Sequence, residues 1–402
     1  MPSVPYFWEM ELKERAKTDL GIIERYRSVR ERSMQLAAPL NREDHIPQPV
    51  VFASPPKWHL AHITWFFEEF ILTRFDNDYE VFDNFFAFLF NSYYNTIGER
   101  TFRADRGSIT RPDVDEVYRY RAYVDEHMDR LLDQRGEEAE LRAVLEIGLN
   151  HEQQHQELFL TDLKFVFGLN PTWPVYAADQ VRVETYDRAE GWLQIQEGVY
   201  AIGHEDQGFC FDNELSRHKV YIHDCEVSRA LVNNAEYMEF MTDGGYERFE
   251  LWLDEGWSWV QENDVCSPLY WHHMDNRWMC YTLAGLREVD PKAQLCHVNY
   301  YEADAFARWK GMRIPTEFEW EVASRGLDWG TRWEWTQSAY LPYPGFKTAD
   351  GALGEYNGKF MVNQMVLRGA SVATAPGHSR PTYRNFFHPQ YQWQFTGIRL
   401  AR

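Results

Sequence analysis

The stretch His151-Glu-Gln-Gln-His-Gln-Glu-Leu158 lies within residues 137–168, whose pattern predicts one long helix that stops at Gly168-Leu-Asn-Pro171. Two histidines four residues apart lie on one helix face about one turn from each other, so both imidazoles can reach a single metal ion. A third candidate ligand, His62, lies far upstream in Trp58-His-Leu-Ala-His62. The sequence therefore predicts a three-histidine metal site. Neutral imidazoles suit zinc, iron, copper and nickel, so the ligands alone do not select the metal.

Three more segments in the first part of the chain carry apolar residues at helical spacing. They are residues 8–37, residues 57–74 and residues 113–134, the last beginning at Asp113. With the helix over 137–168 they suggest a four-helix bundle, whose core is a usual place for a metal site built from facing helices.

The second half of the chain has a different sequence pattern. Residues 171–190 contain two prolines and no clear periodic spacing of apolar residues, which predicts a linker. From residue 191 onwards short strands and loops are expected, with helices only at Asn233–Met241 and at Tyr301–Lys310, before Gly311. We therefore predict an α+β protein of two domains, a helical bundle over residues 1–170 and an irregular α+β domain over residues 191–402.

Composition excludes several classes of partner. The 402 residues carry a net charge of −21, whereas nucleic acid and anionic membranes both select clustered Lys and Arg. No uncharged apolar window long enough to cross a bilayer is present, and the first residues lack the pattern of a signal peptide. The five cysteines form no Cys-x-x-Cys pair, so neither a disulfide framework nor a zinc knuckle is indicated. A cytoplasmic protein that binds small molecules is expected, and the oligomeric state stays open.

A zinc peptidase is the main alternative from another class. His-Glu-x-x-His is the zincin motif, in which Glu152 would act as the general base. The polar neighbours Gln153, Gln154 and Gln156 and the lack of a third ligand at zincin spacing count against it. A binding protein without catalysis would retain its ligand affinity after the histidines were removed.

Several motifs together resemble the ergothioneine-pathway sulfoxide synthases. The resemblance spans nearly the whole chain and rests on Ser54-Pro-Pro-Lys-Trp-His-Leu-Ala-His62, the histidine stretch at 151–158, Arg313-Ile-Pro-Thr-Glu-Phe-Glu-Trp320, Trp333-Glu-Trp335 and Trp393-Gln-Phe-Thr-Gly-Ile-Arg-Leu400. This family joins a DinB-like four-helix bundle to a formylglycine-generating-enzyme-like, C-type-lectin-like domain. Its members use iron(II) and O2 to join a thiol sulfur to the imidazole of a histidine derivative, with oxidation of that sulfur to a sulfoxide.

The resemblance implies a set of site residues. His62, His151 and His155 would bind Fe(2+), and Gln154 would hydrogen-bond the imidazole of hercynine, which is Nα-trimethylhistidine. The other positions that match the family are Asn385 and Phe386 around the trimethylammonium group, Arg100 and Arg103 at the carboxylate of the thiol substrate, and Tyr93 or Tyr94 as the proton donor.

The thiol donor follows from one departure from the family pattern. Phe387 stands where relatives that use γ-glutamylcysteine carry an acidic residue, which favours cysteine as the donor. Alternatives within the family are γ-glutamylcysteine, a seleno-donor, or histidine as acceptor. Residues 368–384 contain no cysteine, so the copper–thiol chemistry of true formylglycine-generating enzymes has no thiolate there.

Overall fold

A computed structural model describes residues 21–92, 94, 98–177, 190–205, 208–348 and 357–402. The chain divides into two compact units. Among the described residues, the helical unit contains those up to residue 177 and the short segment Ala373–His378, and the β-rich unit contains the others. Thr374 of that segment donates a hydrogen bond to Glu157 Oε2 at 2.8 Å. Residues 178–189 of the predicted linker lie outside the described part, so its boundaries stay predictions.

The described part of the helical unit is built on four helices that pack as a bundle. They are α1 (Ile22–Ala37), α2 (Pro56–Phe67), α5 (Val114–Arg135) and α6 (Ala139–Gly168), with the short helices α3 (Thr73–Phe75) and α4 (Phe86–Phe90) between them. The predicted segments are confirmed, apart from residues 8–20, which lie outside the described residues. Asp113 caps α5, because its side chain accepts a hydrogen bond from Glu116 N.

Helix α2 forms the centre of the bundle. Pro56 occupies its first turn, where a missing N–H costs nothing, and every residue from Pro56 to Phe67 is buried. A helix that is buried on all sides belongs to a core rather than to a surface. A π-helical turn, Glu68–Leu72, continues it towards α3.

Gly148 allows α6 to approach α2 closely. A Cβ atom at this position would lie 2.8 Å from Phe67 Cε1 and 3.0 Å from Phe66 Cε1. The Phe66 ring in turn lies 4.7 Å from the ring of His151, one turn further along α6. The small residue therefore sets the spacing of the two helices beside the histidines.

The Gly148→Ala variant is expected to unfold more easily than the wild type. Overpacking costs about 1–3 kcal/mol, which exceeds the roughly 1 kcal/mol that alanine gains over glycine in a helix. Chemical denaturation measures the net change, and Ala143→Gly, at an exposed position of the same helix, isolates the helix-propensity contribution. A Gly148→Ala protein more stable than the wild type would contradict this close approach.

Within its described residues, the β-rich unit contains the strands β1 (Trp192–Ile195), β2 (Gly198–Ile202), β3 (His218–Ile222), β4 (Cys225–Leu231), β5 (Trp271–Met274), β6 (Arg277–Thr282), β7 (Gly285–Glu288), β8 (Trp333–Ala339), β9 (Met365–Gly369), β10 (Asn385–Phe387), β11 (Thr396–Gly397) and β12 (Arg399–Ala401). They form four small sheets, with order β1-β4-β12, β10-β9-β8-β11, β2-β3 and β5-β6-β7. All of these strand pairs are antiparallel except β11 with β8.

The described part of this unit also contains four helices. They are α7 (Asn234–Thr242), α8 (Asp254–Glu262), α9 (Tyr300–Trp309) and α10 (Glu317–Ala323). The predicted helices near residues 233 and 301 are confirmed, each with an asparagine N-cap, and Gly311 has a φ of +68° after α9. Helices α8 and α10 were not expected from the sequence. The mixed α+β class is confirmed. Within the described residues, none of the helices is long and apolar enough to cross a membrane.

Candidate metal centre

Three histidine rings from two facing helices meet inside the helical unit. His62 comes from α2, and His151 and His155 come from α6. One ligand atom from each lies within 4.8 Å of the others, and the ring centroids are 4.6 to 4.9 Å apart. His62 and His151 are almost fully buried, at 0% and 1% exposure. The three side chains thus form a compact nitrogen cluster of the kind that holds one metal ion.

The orientation of His62 suits a metal ligand. Its Nδ1–H donates to the carbonyl oxygen of Phe90 at 2.6 Å, which leaves the Nε2 lone pair directed at the cluster. Nε2 of His62 lies 3.1 Å from Nε2 of His151. Two nitrogens bound at right angles to one ion, with metal–nitrogen bonds of about 2.1 Å, lie about 3.0 Å apart. The donor set and its spacing therefore fit a first-row metal ion.

Burial keeps these imidazoles neutral. It lowers the pKa of His151 to about 3. The pKa values of His62 and His155 are also lowered well below the ordinary value, first by burial and then by the neighbouring imidazoles. Neutral imidazole is the form that binds metal, so the site needs no proton release near neutral pH.

A fourth histidine, which sequence reasoning did not assign, contacts the cluster. His59 Nδ1 lies 2.9 Å from His155 Nδ1, and His59 Nε2 lies 3.0 Å from Asp162 Oδ2. Burial lowers the pKa of His59, although the hydrogen bond with Asp162 acts in the opposite direction. The sequence signal was present, since His59 precedes His62 by three residues and Asp162 follows His155 by seven, which places each pair on one helix face.

Glu152, the base of the zincin alternative, is engaged elsewhere. Its Oε1 accepts from Arg121 Nη2 at 2.8 Å and from Ser33 Oγ at 2.5 Å, and its Oε2 accepts from Arg30 Nη1 at 3.0 Å. The carboxylate is fully buried, as are both arginines. Glu152 therefore balances two guanidinium charges in the bundle core.

The tyrosine pair is only partly described. Tyr94 is fully buried, and its ring lies 5.8 Å from Trp65, whose ring stacks 5.7 Å from His62. This places Tyr94 one aromatic side chain away from the cluster. Tyr93 lies outside the described residues.

The other predicted site residues of the helical unit are Gln154, Arg100 and Arg103. Gln154 is half-buried on α6, one residue before His155. Arg100 Nη1 donates to the carbonyl oxygen of Ser92, and Arg103 Nη2 donates to that of Phe52, both at 2.6 Å. Arg103 remains exposed at the surface. Both arginines thus make backbone contacts in this structure.

A third arginine, which sequence reasoning also missed, is connected to His62 through the ring of Trp58. The guanidinium carbon of Arg106 is 3.3 Å from the ring centroid of Trp58, and Trp58 stacks on His62 at 4.5 Å. Arg106 is 7% exposed and donates to Ser54 Oγ at 2.8 Å. Its three-residue spacing from Arg103 was the available signal, because residues i and i+3 share a face in the 3-10 turn Arg103–Ser108.

In the β-rich unit the predicted residues occupy strand β10, which pairs with β9. Asn385, Phe386 and Phe387 are all half-buried. Phe386 stacks on Tyr340 at a centroid distance of 4.0 Å, and Phe387 meets Trp393 edge-on at 5.0 Å. Phe387 thereby contributes to the core of this unit.

Comparison with known proteins agrees with both units. The DinB superfamily matches residues 25–159, and the sulfatase-modifying factor enzyme 1-like domain matches residues 178–333. The hercynine oxygenases of Mycolicibacterium smegmatis and Mycobacterium tuberculosis are 29% and 28% identical, each over 63% of this chain and 70% of the relative. The formylglycine-generating enzyme of Thermomonospora curvata is 29% identical over 40% of this chain and 57% of that enzyme.

Fold and site together define a two-domain enzyme in which a DinB-like helical bundle with clustered histidines is joined to a sulfatase-modifying-factor-like, C-type-lectin-like domain. In sequence, the chain is similar to the hercynine oxygenases.

Proposed function

We propose that this enzyme binds Fe(2+) through His62, His151 and His155 and uses O2 to join cysteine sulfur to the imidazole of hercynine, giving a sulfoxide. The observation that carries the proposal is the cluster of three neutral imidazoles in a chain related to hercynine oxygenases. When bound, iron(II) would supply a centre at which thiol, imidazole and O2 react in close proximity.

The side chains of the helical unit have distinct proposed roles. The three histidines would hold the metal and leave other positions for substrates, and the Phe90 carbonyl fixes the ring of His62. Gln154 would hydrogen-bond the imidazole of hercynine, and Arg100 and Arg103 would bind the carboxylate of the thiol substrate, since guanidinium recognises carboxylates in bidentate geometry. This role requires Arg100 and Arg103 to exchange their backbone contacts for the substrate.

The residues of β10 have proposed roles in substrate choice. Asn385 and Phe386 would contact the trimethylammonium group, which offers no N–H donor and is suited by carbonyl oxygens and aromatic faces. Phe387 provides no charge for the free amine of a γ-glutamyl group, which favours cysteine. The same assays, run with histidine in place of hercynine or with a seleno-compound in place of cysteine, test the alternative acceptor and donor.

The zinc hydrolase has weaker support. A zincin needs its glutamate at the metal, whereas both oxygens of Glu152 accept hydrogen bonds from the bundle core. Without Glu152 as a base, the His-Glu-x-x-His motif provides only two metal ligands on one helix.

Oxygen uptake tests the proposal. The chain is reconstituted with Fe(II), or with Zn(II) as the control, and is then supplied with hercynine, cysteine or both. We expect uptake that requires iron and is greatest with both substrates. An oxygen uptake with cysteine that does not change when hercynine is added would mean that the enzyme oxidises thiols alone. Hydrolytic activity with Zn(II) would favour the peptidase.

The Tyr94→Phe variant tests the proposed proton donor. A phenol near the reacting oxygen can provide a proton, and its loss should shift products from the sulfoxide towards oxidised thiol while iron stays bound. Product ratios by mass spectrometry, with iron content measured in parallel, report the change. Tyr93→Phe is the matched variant, and unchanged ratios in both would refute a tyrosine donor.

A further inference from the structure

The contacts of His59 form a chain of hydrogen bonds that ends at a proposed metal ligand. Asp162 Oδ2 accepts the backbone N–H of Ser54 at 2.8 Å and lies 3.0 Å from His59 Nε2. His59 Nδ1 lies 2.9 Å from His155 Nδ1. Asp162 and His59 are buried, at 1% and 2% exposure, so this arrangement is isolated from solvent.

The direction of each hydrogen bond follows from what each atom can do. An ionised carboxylate only accepts hydrogen bonds, so His59 Nε2 carries the proton that is donated to Asp162. A neutral imidazole with a proton on Nε2 has a lone pair on Nδ1, which must then accept from His155 Nδ1–H. The ring of His155 is left with its lone pair on Nε2.

We propose that His59 and Asp162 are positioning residues that fix the tautomer and ring orientation of His155, so that its Nε2 is the atom offered to the metal. This inference rests on the proposed metal site and assigns roles to two residues outside it. Partners that orient a ligating histidine typically change metal affinity about 10–100-fold when removed.

The positions of these residues also explain why His59 lies between Asp162 and His155. Asp162 lies two turns beyond His155 on α6, whereas His59 lies on α2, one turn before His62. His59 therefore links the ligand-bearing faces of the two helices. Its ring also packs edge-on against Phe159, with centroids 6.3 Å apart, which restricts its rotation.

Cobalt(II) binding to the metal-free protein tests the proposal without substrates or O2. Affinity is measured by competition with a chelator, and the visible d–d bands report the ligand geometry. His59→Leu is expected to weaken binding about 10–100-fold and to change the bands. His59→Asn should bind within a few-fold of the wild type, because its amide oxygen can accept from His155 Nδ1–H near the position of the lost ring nitrogen.

Three further variants separate this role from packing. His45→Leu removes another histidine of the same unit that is 2% exposed, one whose Nε2 lies 3.2 Å from Tyr118 Oη, and should leave cobalt binding unchanged. Asp162→Asn keeps an acceptor oxygen and should retain cobalt binding better than Asp162→Ala. If His59→Leu does not fold, this pair of Asp162 variants replaces the comparison of His59→Asn with His59→Leu.

Wild-type affinity in His59→Leu, or equal losses in His59→Asn and His59→Leu, would overturn the inference. Failure to form a carbon–sulfur product by a wild-type protein that binds metal would refute only the proposed reaction.

Discussion

The His62→Ala variant is expected to lose both bound iron and all sulfoxide product. His62 is the one proposed ligand on α2, and its removal leaves only the two nitrogens of α6. A single helical pair lacks the third donor that fixes an ion between facing helices. Iron content after anaerobic reconstitution and product analysis by mass spectrometry measure the two losses.

The matched control for His62→Ala is His45→Ala. Both histidines are buried in the helical unit, but the ring of His45 packs against Tyr118. The control should keep iron and product, and circular dichroism should show both variants folded. A folded His62→Ala protein with wild-type iron content would remove His62 from the site.

The Glu152→Gln variant is expected to destabilise the helical unit by about 3–5 kcal/mol, the cost of breaking a buried ion pair by removing one partner. The substitution removes the charge that balances Arg30 and Arg121 and places an amide where arginine N–H groups need acceptors. Chemical denaturation measures the unfolding free energy.

Glu146→Gln provides the comparison on the same helix. Glu146 pairs with Arg25 at 2.8 Å, but both side chains are partly exposed, so its loss should cost no more than about 1 kcal/mol. A zincin would give the opposite pattern, in which Glu152→Gln keeps full stability and abolishes hydrolysis. An unchanged unfolding free energy in Glu152→Gln would therefore favour the hydrolase.

The helical unit follows closely from local sequence signals. Asp113 starts α5 as a cap, Gly168 is the last residue of α6, and the i, i+4 spacing of His151 and His155 places both rings on one face. The third histidine was expected from its motif, and the structure brings it to the other two. Periodicity and spacing are sufficient here because the relevant contacts lie along helices.

The orientation of the site was not predictable in the same way. His59 lies in the same motif as His62, and only the packing of α2 against α6 shows that its Nδ1 meets His155. The burial of Glu152 likewise depends on Arg30 and Arg121, which lie on two other helices. These contacts join residues on different helices, so spacing along one helix places a residue on a face but does not show which residue it meets.

The β-rich unit was predicted only in outline, because its strands are short, at two to seven residues each. Several are stabilised by buried ion pairs between distant residues. Glu334 of β8 accepts from Arg399 of β12 at 2.5 and 2.8 Å, and Glu317 of α10 accepts from Arg384 at 2.8 and 3.0 Å. Although burial alone would raise it, the pKa of the Glu317 carboxyl is held below its usual value by Arg384 and Arg368. No local sequence pattern predicts such ion pairs.

The proposed reaction is tested most directly by mass spectrometry of the products formed by the iron(II)-loaded enzyme with hercynine, cysteine and O2. We expect a hercynine–cysteine sulfoxide adduct that is absent without iron. A folded, iron-loaded enzyme that forms no adduct with either cysteine or γ-glutamylcysteine would contradict it.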